Sequence, residues 1–296
     1  MIAPWSRVVT AGCHTCIFTG STIAIIRPRR GPSLLATCVL RVSVVSRPYH
    51  FLVRILRLTN SSDVVGSIPS EQRASAICDR IIEEVTGEPV ETTVRVFWPA
   101  PQLPEIVDGW LQRYEPDVLF VRASAYWCSY ESLPLLLERR LPLAGHWLAR
   151  AGTRTGESRW AASRPFQVAR RTLVRTFGGD VHFEPGEVSG ILEQVFRRAA
   201  RHESLVMALR GPGFPRDVTE SARGARRARI RNDSLDHALA AMCERLHVAY
   251  APHPQDFELG QLGADRFHTN EAGQRVQGEV EARLIARAWL AARIEL

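Results

Sequence analysis

Two short stretches of the sequence, far apart along the chain, carry residues that could act together as a nucleophile and its base. The first is Asn60-Ser61-Ser62-Asp63, which follows a β-rich run and precedes Gly66. The second is GADRFHTNEAG, in which Asp265 and His268 stand three residues apart before a long helical pattern. A serine hydroxyl becomes a good nucleophile when an imidazole accepts its proton, and a carboxylate holds that imidazole in the required tautomer.

Each of these residues also has a simpler interpretation. Ser62 could be a turn serine that caps the next helix. Asp265 could be a cap on the approach to the closing helix, and His268 a surface histidine. Asn270 is expected to cap that helix under either interpretation.

Hydrophobic periodicity predicts alternating strands and helices from Val53 onward. The predicted strands are residues 53–59, 92–98, 117–121, 204–209 and 247–251. The predicted helices are residues 71–85, 105–114, 187–200, 234–246 and 271–292, with Ser70 as the N-cap of the first. This alternation predicts an α/β fold, a three-layer α/β/α sandwich with a mostly parallel, flavodoxin-like central sheet. Ligands in such sheets bind beyond the carboxyl ends of the strands, where the two serines lie.

The composition changes near residue 62, since residues 1–62 contain no Asp or Glu. We interpret residues 1–52 as a poorly ordered N-terminal extension and residues 53–296 as a single domain. An over-extended start, a flexible arm and a transit-type leader are the alternatives for the extension. An Arg-rich segment around residues 135–185 interrupts the alternation. We interpret it as an insertion of short helices and loop that could cap the site, and a solvent-exposed excursion is the alternative.

The order of the candidate residues resembles that of the SGNH (GDSL-type) hydrolases. The stretch NSSDVVG is similar to the first block of that family, and DRFHTNEAG is similar to its last block. The resemblance implies Ser62 as the nucleophile, with Ser61 as the fallback, and Asp265 and His268 as the other triad members. It covers the chain from Val53 onward and implies an SGNH-hydrolase-like fold.

The second and third blocks of that family depart from its pattern in this sequence. Trp98-Pro99-Ala100-Pro101 stands where the second-block glycine is expected, and Ser124 and Tyr126 take the places of the third-block glycine and asparagine. The resemblance leaves the Ser62 N–H as an oxyanion donor. The Ala100 N–H, the Ser124 and Tyr126 hydroxyls and Asn60 are further candidates.

The function expected from the resemblance is a serine hydrolase that cleaves a carboxylic ester through an acyl-enzyme. The alternative is an SGNH-fold protein with impaired catalysis that binds a ligand or partner. The expected partner is a small acyl or acetyl ester, and no cofactor or metal is expected because no phosphate loop, dinucleotide fingerprint or metal-ligand cluster is found. Scattered cysteines favour a cytoplasmic location, and a targeted location is the alternative.

Three further observations give no support to a membrane, zinc or nucleic-acid function. No run of eighteen apolar residues predicts a membrane span. Cys13 and Cys16 have CxxC spacing, but a second pair for zinc is missing at suitable spacing. The stretch RGARRARIR carries five arginines but no interleaved aromatic residues, so we expect a solvated helix or loop and no nucleic-acid partner, although the net charge is +7. The oligomeric state is left open.

Overall fold

The computed structural model describes residues 7–11, 14–19, 22–26, 52–64, 68–140, 179–213, 222–253, 259–262 and 269–294, with four helical positions between 168 and 176. The chain divides into two compact units, Met1–His50 and Phe51–Leu296. The division lies two residues before the predicted boundary.

The first unit contains a three-stranded antiparallel sheet. Its strands are β1 (Arg7–Ala11), β2 (His14–Thr19) and β3 (Thr22–Ile26), and β2 lies in the centre. Cys16 lies on β2, whereas Cys13 falls outside the described residues. The interpretation of residues 1–52 as a poorly ordered extension stays a prediction.

The second unit is built on a five-stranded, all-parallel sheet. Its strands are β4 (Val53–Thr59), β5 (Val90–Val96), β6 (Val118–Arg122), β7 (Val206–Arg210) and β8 (Ala249–Ala251). Their spatial order is β5-β4-β6-β7-β8. This is the flavodoxin-like order. The chain adds β5 on one side of β4 and the later strands on the other side, and this change of side between β4 and β6 opens a crevice at their carboxyl ends.

Seven α-helices in the described part of this unit cover the sheet or its edge. They are α1 (Ala74–Thr86), α2 (Leu103–Tyr114), α3 (Tyr126–Ser129), α4 (Leu133–Arg140), α5 (Pro185–Ala199), α6 (Ala222–Arg245) and α7 (Glu271–Ile294). Short 3₁₀ turns occur at Ser61–Asp63, Ser70–Gln72 and Leu259–Gln261. Among the described residues, no helix has the length and apolar character needed to cross a membrane.

Alternate side chains of the strands form two hydrophobic cores on opposite faces of the sheet. Leu56, Leu58 and Leu119 belong to the core under α2, α5 and α6. Val53 and Phe120 belong to the core under α1 and α7. Because successive strand side chains point to opposite faces, both faces must be covered, and the predicted three-layer α/β/α sandwich is confirmed.

The structure corrects several predicted element boundaries. Helix α1 begins at Ala74, after the 3₁₀ turn that contains Ser70, and Arg73 occupies the N-cap position. The predicted helix 234–246 is the second half of α6, whose first turns contain the Arg-rich stretch. The predicted insertion lies mostly outside the described residues.

The close packing of α7 against α1 generates a stability prediction. A Cβ added at Gly278 would lie 2.8 Å from the Ile77 Cβ and 2.9 Å from the Ala74 carbonyl oxygen. We expect Gly278→Ala to lower the free energy of unfolding by about 1–3 kcal/mol, because a backbone atom cannot yield easily. Urea unfolding measures the change.

Gly190→Ala in α5 is the matched control, because a Cβ there meets nothing within 4 Å. We expect this variant to gain about 0.5–1 kcal/mol, since alanine favours a helix over glycine. Equal gains from both substitutions would contradict the described packing of α1 and α7.

Candidate active site

The turn that carries Ser62 lies at the carboxyl end of β4, the strand between β5 and β6. Residues Ser61–Asp63 form one 3₁₀ turn. The Asp63 N–H donates to the Asn60 carbonyl at 3.3 Å, and the Val64 N–H donates to the Ser61 carbonyl at 3.1 Å. The backbone of Ser62 therefore lies at the switch point of the sheet, while its side chain and Gly66 are outside what the structure describes.

Asp63 fixes this turn to the sheet through a buried ion cluster. Its Oδ2 accepts from Arg57 Nε at 2.8 Å and from Thr59 Oγ1 at 2.9 Å, and its Oδ1 accepts from Arg122 Nη1 at 2.8 Å. The two arginines come from β4 and β6. The residue directly after Ser62 is thus tied to both central strands.

Glu281 of α7 closes the cluster on the other side of the arginines. Arg122 donates to both of its carboxylate oxygens, at 2.6 Å from Nε and 2.8 Å from Nη2. Arg57 Nη2 also donates to Glu281. Arg210, the last residue of β7, places Nη1 3.2 Å from Glu281 Oε1. The two parallel bonds from Arg122 to Glu281 are the strong, bidentate form of the Arg–carboxylate interaction.

All five side chains of the cluster are at most 2% exposed, so their charges are compensated mainly by one another. Burial alone would raise the pKa of Asp63, but Arg122 and Arg57 hold that pKa well below its usual range. The same opposition, with Arg122, Arg57 and Arg210 prevailing over burial, lowers the pKa of Glu281. Burial lowers the pKa of Arg210 to about 10. All five groups are therefore ionised at neutral pH.

The three cluster arginines, which pair with Asp63 and Glu281, were missed by the sequence analysis. The sequence did carry a signal, namely an arginine within or at the end of three largely apolar strands. In the structure, β4, β6 and β7 place these arginines on the face that packs against α1 and α7. Arg57 interrupts the apolar run VRILRLT, and Arg122 and Arg210 end their strands. Arg122 and Arg210 are register partners. An arginine at an inward position of a buried strand needs a buried carboxylate, although the sequence does not say which one.

The candidate oxyanion residues leave β5 and β6 at the same edge of the sheet. The Ala100 N–H donates to the Trp98 carbonyl at 2.7 Å, so it would have to give up this bond to serve an oxyanion. The Ser124 Oγ accepts from the Tyr126 N–H at 3.3 Å. A serine hydroxyl that accepts one bond still has its own proton to donate.

Aromatic side chains from three separate segments meet near these residues, and we call Trp98, Tyr126, Tyr130, His182 and Phe183 the aromatic cluster. The Trp98 ring lies 5.0 Å from His182, 5.6 Å from Phe183 and 6.0 Å from Tyr126, measured between ring centroids. Tyr126 stacks on Tyr130 at 4.5 Å. Tyr126 therefore contributes a ring to this surface in addition to its hydroxyl.

Asp265 and His268 fall outside the described residues, but the chain on both sides of them is fixed. Leu262 and Thr269 form an antiparallel bridge, and Asn270 Nδ2 donates to the Leu262 carbonyl at 3.1 Å. The Gly273 N–H donates to Asn270 Oδ1 at 3.1 Å, so Asn270 caps α7 as expected.

Gln274 connects this C-terminal segment to the helix that follows Ser62. Its Oε1 accepts from the Ala74 N–H at 2.8 Å, and its Nε2 donates to Thr269 Oγ1 at 2.8 Å. The residue after His268 and the start of α1 are thus two hydrogen bonds apart.

The Arg-rich start of α6 includes residues that pair with a buried carboxylate. Arg227 donates to Glu131 at 2.8 Å, and Arg231 lies 3.9 Å from the same carboxylate. Part of this stretch therefore supports the fold. Among the described residues, no three His, Cys, Asp or Glu side chains lie together in a way that could hold a metal ion.

This chain aligns with nearly the whole length of several solved structures that have the same architecture. The psychrotrophic esterase EstA from Pseudoalteromonas sp. superposes with a TM-score of 0.50 at 12% identity, covering 80% of this chain and 98% of its own. The fold is that of the SGNH hydrolases. TesA has a TM-score of 0.49 at 12% identity, covering 79% of this chain and 99% of its own. A candidate GDSL-like lipase from Parabacteroides merdae has 0.44 at 12%, covering 81% and 94%.

At these identities the likeness concerns the SGNH fold alone. No family model matches the sequence, and no curated protein matches it at a significant level. The roles of Ser62, Asp265 and His268 stay predictions.

The ion cluster generates a prediction about stability. Glu281→Gln leaves three buried guanidiniums with one carboxylate, and we expect the free energy of unfolding to fall by about 3–5 kcal/mol. Glu105→Gln is the matched control, because Glu105 pairs with Arg198 at the surface, and we expect it to change stability by less than about 1 kcal/mol. Chemical denaturation of both variants checks this, and similar small losses would contradict a structural role for the cluster.

Proposed function

We propose that this protein is a serine hydrolase that cleaves a carboxylic ester through an acyl-enzyme. One observation carries the proposal: the Ser61–Asp63 turn is anchored by a buried carboxylate at the switch point of an SGNH fold. A nucleophile at this place meets a substrate beyond the carboxyl ends of β4, β5 and β6. The anchoring limits the motion of the Ser62 backbone, which favours a reproducible attack geometry.

The proposed reaction uses Ser62, His268 and Asp265. The Ser62 hydroxyl attacks the ester carbonyl while His268 takes its proton, and the tetrahedral intermediate collapses as His268 gives that proton to the leaving alcohol. Water then attacks the acyl-Ser62 ester with His268 as base, and the carboxylic acid leaves as Ser62 regains its proton. Asp265 orients His268 and stabilises its charged form.

The Ser124 hydroxyl is the described side chain that best suits the developing oxyanion. Its residue follows β6, the strand next to β4, and its Oγ is already placed by the bond from the Tyr126 N–H. The Ser62 N–H would be the second donor. Ser124, at the place of the third-block glycine, would then supply the donor that the family takes from the asparagine, whose place Tyr126 occupies.

A second candidate function is ligand binding without efficient turnover. The bond from the Ala100 N–H to the Trp98 carbonyl favours it, because it occupies a donor that an oxyanion hole needs. A donor that is engaged before the reaction stabilises a transition state less than a preorganised one.

The nucleophile assignment predicts the labelling of one serine. A fluorophosphonate probe reacts with an activated serine and releases fluoride, so we expect wild type to be labelled and Ser62→Ala to be unlabelled. The same variant should lose roughly 10⁴-fold or more in kcat on p-nitrophenyl acetate. Gel fluorescence and intact mass give the readout.

Ser61→Ala is the control for this experiment, since it removes the adjacent hydroxyl from the same turn. It should keep the label. Labelling of Ser62→Ala together with loss of label in Ser61→Ala would move the nucleophile to Ser61, and equal labelling of wild type and both variants would contradict the proposal.

The oxyanion assignment predicts a kinetic effect of Ser124→Ala. We expect kcat to fall by about 10²–10³-fold with a small change in KM, because the hydroxyl would act on charge that develops in the transition state. Ser129→Ala is the control, since the Ser129 hydroxyl donates to the Ala125 carbonyl within the neighbouring helix α3. Equal, small effects of both substitutions on kcat would contradict the assignment.

A further inference from the structure

The strand order places the aromatic cluster at the carboxyl ends of β5 and β6, the strands on either side of β4. β4 lies between β5 and β6, so these two strands are about 10 Å apart at a strand spacing of about 4.8 Å. The Trp98 and Tyr126 ring centroids are only 6.0 Å apart, although the residues follow β5 and β6. The two side chains therefore reach toward each other past the end of β4, which leads into the Ser62 turn.

The cluster presents an exposed ring on a rigid base. Trp98 is 41% exposed, whereas the neighbouring Phe97 and Trp127 are buried and contact each other edge to face at 5.1 Å. Phe183 and Tyr126 also pack against this core. A ligand that covered the exposed indole would gain from the burial of its apolar surface.

His182 adds an uncharged ring to the cluster. Burial, with a smaller contribution from Arg139, lowers the pKa of His182. Arg139 itself is paired with Asp180 at 2.8 Å. The imidazole is therefore neutral at pH 7, and its stacking with Tyr126 at 5.7 Å continues the aromatic surface without adding charge.

We propose that the aromatic cluster binds an aromatic ring of the ester substrate, carried either by its acyl group or by its alcohol. This inference rests on the proposed function and adds the substrate class. Rings attract one another at centroid separations of 4.5–7 Å in offset-stacked and edge-to-face arrangements, and the cluster already places its members in such arrangements. A further ring gains this directional contact on Trp98, whereas an alkyl chain of similar size gains only the burial of its surface.

The test compares matched esters on wild type and Trp98→Ala. Benzyl acetate and hexyl acetate differ in the alcohol, and ethyl phenylacetate and ethyl hexanoate differ in the acyl group. A methylene separates each ring from the reacting centre, so the chemical reactivities are similar. For the ring-bearing member of at least one pair, we expect Trp98→Ala to raise KM about tenfold with a smaller change in kcat. The alkyl partner should change less than about threefold, and the affected pair shows which group carries the ring.

Two control variants separate ring recognition from general damage. Trp98→Phe keeps an aromatic ring and should retain most of the preference for the ring-bearing ester. Leu290→Ala removes another exposed apolar side chain, 42% exposed, from α7. Its neighbour Trp289 donates to Glu88, which precedes β5, so Leu290 lies near the opposite end of that strand from Trp98. This change should leave all four KM values unaltered. Equal losses on ring-bearing and alkyl esters in Trp98→Ala, or no loss on either, would overturn the inference.

A binding measurement distinguishes failure of this inference from failure of the proposed function. Saturation-transfer NMR with both ester pairs on Ser62→Ala reports contact without turnover. In at least one pair we expect stronger transfer to the ring-bearing ester, and this excess should disappear in Ser62→Ala/Trp98→Ala. That result supports the inference even if wild type hydrolyses none of the four esters, which would contradict the proposed function alone. Equal transfer within both pairs, or an excess that is unchanged without Trp98, overturns the inference alone.

Discussion

The compensation of buried charge is the constraint on which the central part of this structure depends. Three arginines on neighbouring strands cannot face the interior unless carboxylates meet them, and Asp63 and Glu281 do so from a turn and from the last helix. Removing either carboxylate would leave three buried guanidiniums with a single negative charge to compensate them. The cluster therefore holds β4, β6, β7 and α7 in one arrangement, and the turn after β4 cannot move without breaking it.

This arrangement joins stability to the candidate chemistry. Asp63 follows Ser62 directly, so the contacts that satisfy its carboxylate also hold the backbone beside the proposed nucleophile. At the other end of the chain, Gln274 connects the start of α7 to the start of α1. The segments that carry Ser62 and His268 are thus attached to the same pair of packed helices, although 206 positions separate the two residues in the sequence. The rings of the aromatic cluster come from the segments that follow β5 and β6 and from the approach to α5.

Much of the fold could be predicted from the sequence because its signals are local. The alternation of short apolar runs with amphipathic segments predicted all five strands of the second unit and its parallel sheet. Two predicted helix boundaries were wrong. Ser70 lies in a separate 3₁₀ turn, and α6 begins twelve residues before Ser234, in the stretch where Arg227 and Arg231 pair with Glu131. The short helix α3 was missed, since a helix of four residues gives little periodicity.

The sequence by itself determined the fold class and the candidates for chemistry, because strand alternation, helix periodicity and the spacing of Asp265 and His268 are properties of neighbouring residues. It could not assign partners to Arg57, Arg122 and Arg210, since Asp63 and Glu281 meet them only after the strands are ordered side by side. Nor could it group Trp98, Tyr126 and His182, which come from three segments. Those contacts are long-range, and only the order β5-β4-β6-β7-β8 with α7 across it decides which distant charges and rings lie within reach of one another.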